Sequence, residues 1–123
     1  MKENITLLYV DDEPINLELF EINFGIKYRV ITALNGDEGL LKIAQNPDIT
    51  IVISDMQMPG MNGVEFIGKA KSRNPELTCY ILTGYALTEE IGNAIKRGEV
   101  SKYFGKPLDL VDLEESIDSC QKV

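Results

Sequence analysis

The stretch Ile49-Thr50-Ile51-Val52-Ile53-Ser54 constrains the fold more than any other part of the chain. It is almost wholly apolar and rich in β-branched residues, and it lacks the alternation of a strand with one wet face. Such a strand is buried on both faces, so helices have to cover both sides of its sheet. The run ends on a carboxylate, Asp55, and passes into a loop punctuated by Pro59, Gly60 and Gly63. An acid at the carboxyl end of a buried parallel strand points into the crevice where open α/β sheets bind their ligands. Taken alone, Asp55 reads first as a turn residue, since Asp is common in turns. The other strand ends have to decide.

The remaining chain supplies the layers that this strand needs. Ile5–Val10 reads as a first strand, ended by Asp11-Asp12-Glu13, and Pro14 suits a helix start behind those acids. Ile15, Leu19 and Ile22, with Phe20 and Phe24, recur at helical spacing until Gly25. Tyr28–Ala33 is a second strand, Asn35-Gly36 marks a turn, and Leu40, Leu41, Ile43 and Ala44 give a second helix that stops near Asn46-Pro47. Ile49–Ser54 is the third strand. Val64, Phe66, Ile67 and Ala70 form a third helix, ending before Asn74-Pro75. Thr78–Leu82 is a fourth strand leading to Thr83-Gly84. A weaker helix follows from Glu89 to Arg97, with Ile91, Ala94 and Ile95 on its apolar face and Gly92 inside it. Ser101–Phe104 is a short fifth strand reaching Lys106-Pro107, and Leu108, Leu110, Leu113 and Ile117 mark a last helix.

Five alternations of strand and helix, without repeat or linker, predict one α/β domain over residues 1–123 with right-handed crossovers. Five strands fit the flavodoxin-like order 2-1-3-4-5, a (βα)5 three-layer sandwich, although spacing does not itself fix the order.

Composition narrows the chemistry. The chain has no histidine, which removes histidine general bases, nucleophile–histidine dyads and histidine metal ligands. Its 2 cysteines, Cys79 and Cys120, lack metal-ligand spacing, and Cys79 sits within an apolar run as a buried thiol would. With 20 acids against 12 bases the formal charge is −8, which repels nucleic acid and anionic membrane and favours cations and basic partners. No apolar run approaches a membrane span and no signal peptide opens the chain, so the expected location is the cytoplasm.

The strand ends carry the functional information. The first strand delivers Asp11 and Asp12, the third Asp55, the fourth Thr83, and the fifth leads to Lys106. In a parallel sheet these share one rim. Clustered carboxylates repel one another unless a counter-charge joins them, and Mg²⁺ resolves this while keeping waters and room for a phosphoryl oxygen. Lys106 is a point charge suited to such an oxygen, and Thr83 offers a hydroxyl. Gly84 lets a backbone N–H approach without a Cβ in the way. Among these groups Asp55 can act as a nucleophile and form an acyl phosphate. Each piece singly is ordinary capping or turn chemistry. Five on one rim are a site.

Over essentially its whole length the chain resembles the receiver domain of two-component response regulators, of the kind found in chemotaxis regulators. The resemblance rests on Tyr9-Val10-Asp11-Asp12-Glu13-Pro14, on Ser54-Asp55-Met56-Gln57-Met58-Pro59-Gly60-Met61-Asn62-Gly63, on Leu82-Thr83-Gly84 and on Lys102-Tyr103-Phe104-Gly105-Lys106-Pro107. Thr83-Gly84-Tyr85-Ala86 with Arg97-Gly98-Glu99-Val100 is more loosely similar to receivers that precede output domains.

The resemblance implies a role for each matching residue. Asp55 would accept a phosphoryl group from a phosphohistidine on a sensor histidine kinase or histidine phosphotransfer protein. Asp12 and Asp55 would ligate Mg²⁺, with Asp11 acting largely through water and Gln57 giving its backbone carbonyl. Backbone amides of Met56 and Gly84 would meet the phosphoryl group. Lys106 would pair with the acceptor, Thr83 would move toward the phosphate, and Tyr103 would swing inward behind it, besides serving as a packing residue. The peptide before Pro107 would be cis. The fourth helix, fifth strand and fifth helix would form the output face, read by a downstream domain or protein and permitting a homodimer. Side chains at Gln57 and Tyr85 would tune dephosphorylation. Such a module is a switch rather than an enzyme, catalysing only its own phosphorylation and dephosphorylation. With no effector domain after Val123, it would act alone or as a piece of a longer chain.

Three rivals remain open at this stage. A phosphatase of the haloacid-dehalogenase type uses similar strand-end groups, but its acid two residues past the nucleophile is Gln57 here. A flavodoxin-like carrier needs an anion-friendly loop where this chain has Asp11-Asp12-Glu13. A degenerate receiver would serve only as an interaction module, although every phosphorylation residue is present.

Overall fold

The computed structural model describes residues 5–84 and 87–120 of the chain. Strands and helices alternate as β1 (Thr6–Val10), α1 (Pro14–Phe24), β2 (Arg29–Ala33), α2 (Gly36–Gln45), β3 (Ile51–Asp55), α3 (Gly63–Arg73), β4 (Thr78–Thr83), α4 (Glu89–Lys96), β5 (Lys102–Gly105) and α5 (Leu110–Cys120). The strands are all parallel in the order β2-β1-β3-β4-β5, the flavodoxin-like order expected.

Every residue of β1 and β3 is buried, as their unbroken apolar runs require. Alternate residues then feed two cores, one on each face. Leu8, Val10, Val52, Cys79 and Ile81 pack with Leu40 of α2, Phe66, Ile67 and Ala70 of α3, and Ile91 and Ala94 of α4. Leu7, Tyr9, Ile51, Ile53, Tyr80 and Leu82 pack with Phe20 and Phe24 of α1 and Leu113 and Ile117 of α5. The edge strands β2 and β5 are more exposed, because each has a neighbour on one side only.

Helix α1 departs from its sequence reading. Ile15, Leu19 and Ile22 were read with Phe20 and Phe24 as one apolar set at helical spacing, yet they are 58%, 49% and 64% exposed. Phe20 and Phe24, with half-buried Leu17, face the sheet instead. The helix carries two apolar stripes, and the aromatic one buries more area and finds ring partners. Tyr9 stacks on Phe20 at 4.1 Å, Phe20 meets Phe24 at 4.6 Å, and Phe24 continues to Tyr28 at 6.5 Å between centroids.

Helix ends explain other differences. Asn35-Gly36 is not a free turn: Asn35 caps α2 by accepting from the Glu38 N–H at 2.8 Å, and Gly36 is its first residue. Asn62 and Glu65 form a reciprocal capping box at the start of α3. Thr88 caps α4, which buries Ile91 and Ala94 of its expected apolar face and leaves the third, Ile95, partly buried. The last helix begins at Leu110 rather than Leu108, behind Asp109, whose side chain accepts from the Asp112 N–H at 3.1 Å. Tyr85 lies outside the described residues.

Gly63 fixes how the loop after β3 closes. A Cβ there would lie 2.5 Å from the Asp55 carbonyl oxygen and 2.8 Å from Ile81 Cδ1. Because the nearest obstacle is backbone, the collision cannot be relieved by a rotamer change. Gly63→Ala is therefore expected to destabilise the fold by about 1–3 kcal/mol through overpacking. Chemical denaturation checks this; an unchanged midpoint would show that α3 can slide away from the strand.

Cys79 is fully buried, and burial pushes its thiol up to about 12. The thiolate is the reactive species, so at pH near 8 Cys79 should stay unmodified by iodoacetamide while the protein is folded, and alkylate on denaturation. Peptide mapping of the two states reads this directly.

Candidate functional site

Strand register assembles the site. Leu7↔Ile51 through Val10↔Ser54 are paired between β1 and β3, so the next residues along, Asp11 and Asp55, leave the sheet side by side. Asp55 is the last residue of β3 and pairs with Leu82, which brings Thr83 one step beyond it. Thr83 pairs in turn with Gly105, placing Lys106 at the same rim. The Lys106 N–H donates to the Thr83 carbonyl at 3.0 Å, which anchors the loop that carries the lysine. The Lys106–Pro107 peptide is cis, as expected.

The central contact is the Lys106 Nζ donating to Asp55 Oδ1 at 2.8 Å. Its two ends differ sharply: the Asp55 side chain is 8% exposed and that of Lys106 is 36% exposed. The ammonium thus reaches inward from solvent to a carboxylate that cannot reach water to the same degree. Carboxylate oxygens of Asp11, Asp12 and Asp55 all lie within 4.8 Å of one another. Burial pushes the Asp55 carboxyl above the usual range; Lys106 opposes this, while the charges of Asp11 and Asp12 add to it. Among the described residues, one lysine therefore faces three acids. The all-oxygen donor set and the uncompensated negative charge suit a hard divalent cation such as Mg²⁺.

Asp11 is fully buried and held from three sides. Its Oδ1 accepts from the Glu13 N–H at 3.0 Å, and its Oδ2 accepts from Tyr9 Oη at 2.7 Å and Asn16 Nδ2 at 3.2 Å. Tyr9 and Asn16 were not singled out in the sequence. The signals were there: Tyr9 lies two residues before Asp11, on the same face of the strand, and Asn16 falls in the first turn of the following helix.

Other expected residues fall out unevenly. Thr83 is 1% exposed and Gly84 is exposed at the strand end. A Cβ at Gly84 would meet nothing within 4 Å, so no protein neighbour demands glycine there. Met56 is a correction: its N–H, expected to meet a phosphoryl group, donates to the Leu82 carbonyl at 2.9 Å and belongs to the sheet. Gln57 is exposed next to Asp55 in the loop. Tyr103 is 37% exposed on β5, opposite Ile81 and two residues from the Thr83 level.

Comparison with known proteins gives the family. A family model described as "Response regulator receiver domain" matches residues 7–118. Sporulation initiation phosphotransferase F of Bacillus subtilis is 28% identical over 116 residues, covering 93% of this chain and 91% of that protein. Hydrogenase transcriptional regulatory protein HoxA of Cupriavidus necator is 29% identical over 102 residues, 83% of this chain but only 21% of that protein. The chain likewise spans 25% of the length of two other transcriptional regulators that it matches. Among solved structures, a response regulator receiver domain protein from Clostridium thermocellum superposes with a TM-score of 0.84 at 30% identity, covering 94% of this chain and 93% of that one. A matched family model across nearly the whole chain, the β2-β1-β3-β4-β5 sheet and an acid–lysine rim lead to one assignment: the chain belongs to the response regulator receiver domains, the phosphoacceptor modules of two-component signalling.

Proposed function

We propose that Asp55 is the phosphoacceptor, that Asp11, Asp12 and Asp55 with the Gln57 backbone carbonyl hold Mg²⁺, and that residues 1–123 act as one phosphorylation-driven switch. The observation that carries this reading is the 2.8 Å contact between Lys106 Nζ and Asp55 Oδ1 beside two further acids. A lone buried carboxylate would not need both a cation partner and a cation site. A carboxylate that must become an acyl phosphate needs both.

The step follows from the residues. An oxygen of Asp55 attacks the phosphorus of a partner's phosphohistidine, the P–N bond breaks, and its electron pair returns to the imidazole nitrogen, which takes up a proton. When bound, Mg²⁺ supplies positive charge to the phosphoryl oxygens and relieves the repulsion among the three acids. Lys106 trades its bond to the Asp55 carboxylate for one to a phosphoryl oxygen. Thr83, at the end of β4, offers its hydroxyl to another, and the Gly84 backbone N–H would serve a third. Hydrolysis of the acyl phosphate by water would return the free carboxylate and release inorganic phosphate, so the chain would catalyse only its own phosphorylation and dephosphorylation.

Two neighbours would carry the change outward. Tyr103 is partly exposed on the edge strand β5, level with Ile81 and near Thr83, so movement of Thr83 toward phosphate would open space for an inward ring. The face of α4, β5 and α5 is then the output surface, toward a downstream domain, a partner protein or a second copy. Phosphorylation shifts a population between two states by the contacts that only one of them offers. The phosphodonor would be a sensor histidine kinase or histidine phosphotransfer protein, and the setting cytoplasmic. No helix among the described residues is long and apolar enough to cross a membrane, and the −8 charge argues against nucleic acid as a direct ligand.

Incubation with Mg²⁺ and acetyl phosphate should add a single phosphoryl group by intact mass, and Asp55→Asn or excess chelator should abolish it. Labelling of Asp55→Asn to the wild-type extent would sink the assignment. Magnesium should also raise the melting temperature of the unphosphorylated protein, since it binds the folded pocket and not the unfolded chain; at a hundred times its Kd the gain is about 2.7 kcal/mol. Thermal melts across a Mg²⁺ titration give the answer, and a flat response would count against the pocket.

A further inference from the structure

We infer that Tyr9 and Asn16 are positioning residues that confine Asp11 to one remaining acceptor site and so set which divalent cation the pocket prefers. This rests on the magnesium-binding role proposed above and assigns a determinant of its selectivity.

The count of donors carries the argument. A carboxylate offers about four lone-pair sites. On Asp11, Oδ2 accepts from Tyr9 Oη at 2.7 Å and Asn16 Nδ2 at 3.2 Å, and Oδ1 accepts from the Glu13 N–H at 3.0 Å. Oδ2 is full, and Oδ1 has one site left. Asp11 can therefore face a cation, or a water bound to one, through Oδ1 alone and in a single direction.

The clamp is stiff. The Tyr9 ring is 4% exposed and stacks on Phe20 at 4.1 Å with 9° between planes, so its hydroxyl cannot swing away from Asp11. Asn16 is fixed by the first turn of α1, where its own N–H donates to the Glu13 carbonyl at 3.0 Å.

Cations respond differently to such a clamp. Mg²⁺ requires near-octahedral geometry and retains waters, so it benefits from acids fixed in place and is served by single oxygens. Ca²⁺ accepts six to eight oxygens in flexible arrangements and gains from carboxylates that turn to bind through both atoms. A locked Asp11 favours the first ion and denies the second its extra oxygen.

The test compares Tyr9→Phe and Asn16→Ala with wild type by thermal melts in separate Mg²⁺ and Ca²⁺ titrations, each yielding a Kd. Tyr9→Phe keeps the stacked ring and removes only the hydroxyl. Loss of a partner behind a metal ligand typically costs about tenfold or more in affinity, so the Mg²⁺ Kd should rise about tenfold while that for Ca²⁺ holds or tightens. The preference for Mg²⁺ over Ca²⁺ should then fall about tenfold, and Asn16→Ala should move it the same way. A merely structural role would weaken both ions together, and that result, or an unmoved ratio, overturns the inference. Should Tyr9→Phe fail to fold, Asn16→Ala on the helix surface decides alone. A wild type whose melting answers to neither ion would instead sink the proposed metal site, which keeps the two failures apart.

Discussion

Negative charge at the carboxyl edge of the sheet is the constraint on which the site depends. Parallel strands in register bring Asp11 and Asp55 to one rim, and Asp12 follows from the chain direction. The fold offers two partial remedies, the Lys106 ammonium on Asp55 and three hydrogen-bond donors on Asp11. Neither neutralises the cluster. A site left with surplus negative charge is ready to accept a cation, and with it an anion that the acids alone would repel. Readiness of this kind is what a phosphoacceptor requires.

The surrounding structure holds that arrangement rigid on one side and looser on the other. Buried β1 and β3, the Tyr9–Phe20 stack and the close approach of Gly63 to the Asp55 carbonyl fix the acids. Beyond β4 the next helix and strand are shorter and more exposed: α4 spans 8 residues, carries Gly92 with no atom near its absent side chain, and precedes the edge strand β5, of 4 residues, whose Tyr103 is partly exposed. Few buried contacts per residue make a segment easier to move. The acid rim is thus held more stiffly than the α4–β5 end of the sheet.

The chain also shows where patterns mislead. On α1 the spacing of Ile15, Leu19 and Ile22 is as helical as that of Phe20 and Phe24, and periodicity ranks them equally. Only the presence of Tyr9 beneath the helix selects the aromatic stripe. Asn35-Gly36 carries turn chemistry and helix-cap chemistry alike, and the Glu38 N–H decides between them. The Met56 N–H was assigned to a ligand by resemblance, whereas the sheet ladder claims it through Leu82.

What the sequence determined by itself was the layer architecture and the identity of the rim. Apolar runs without alternation demand a sheet covered on both faces, and a parallel sheet delivers every strand-end residue to one edge; Asp11, Asp12, Asp55, Thr83 and Lys106 were legible for that reason. Strand order was only one option among those the spacing allowed, and the contacts made across strands were not legible at all. That Lys106 grips Asp55, that Tyr9 and Asn16 grip Asp11, and that one stripe of α1 faces outward were decided by register and packing. Those contacts join residues from different elements, and no local pattern encodes the distance between two strands until the sheet between them has formed.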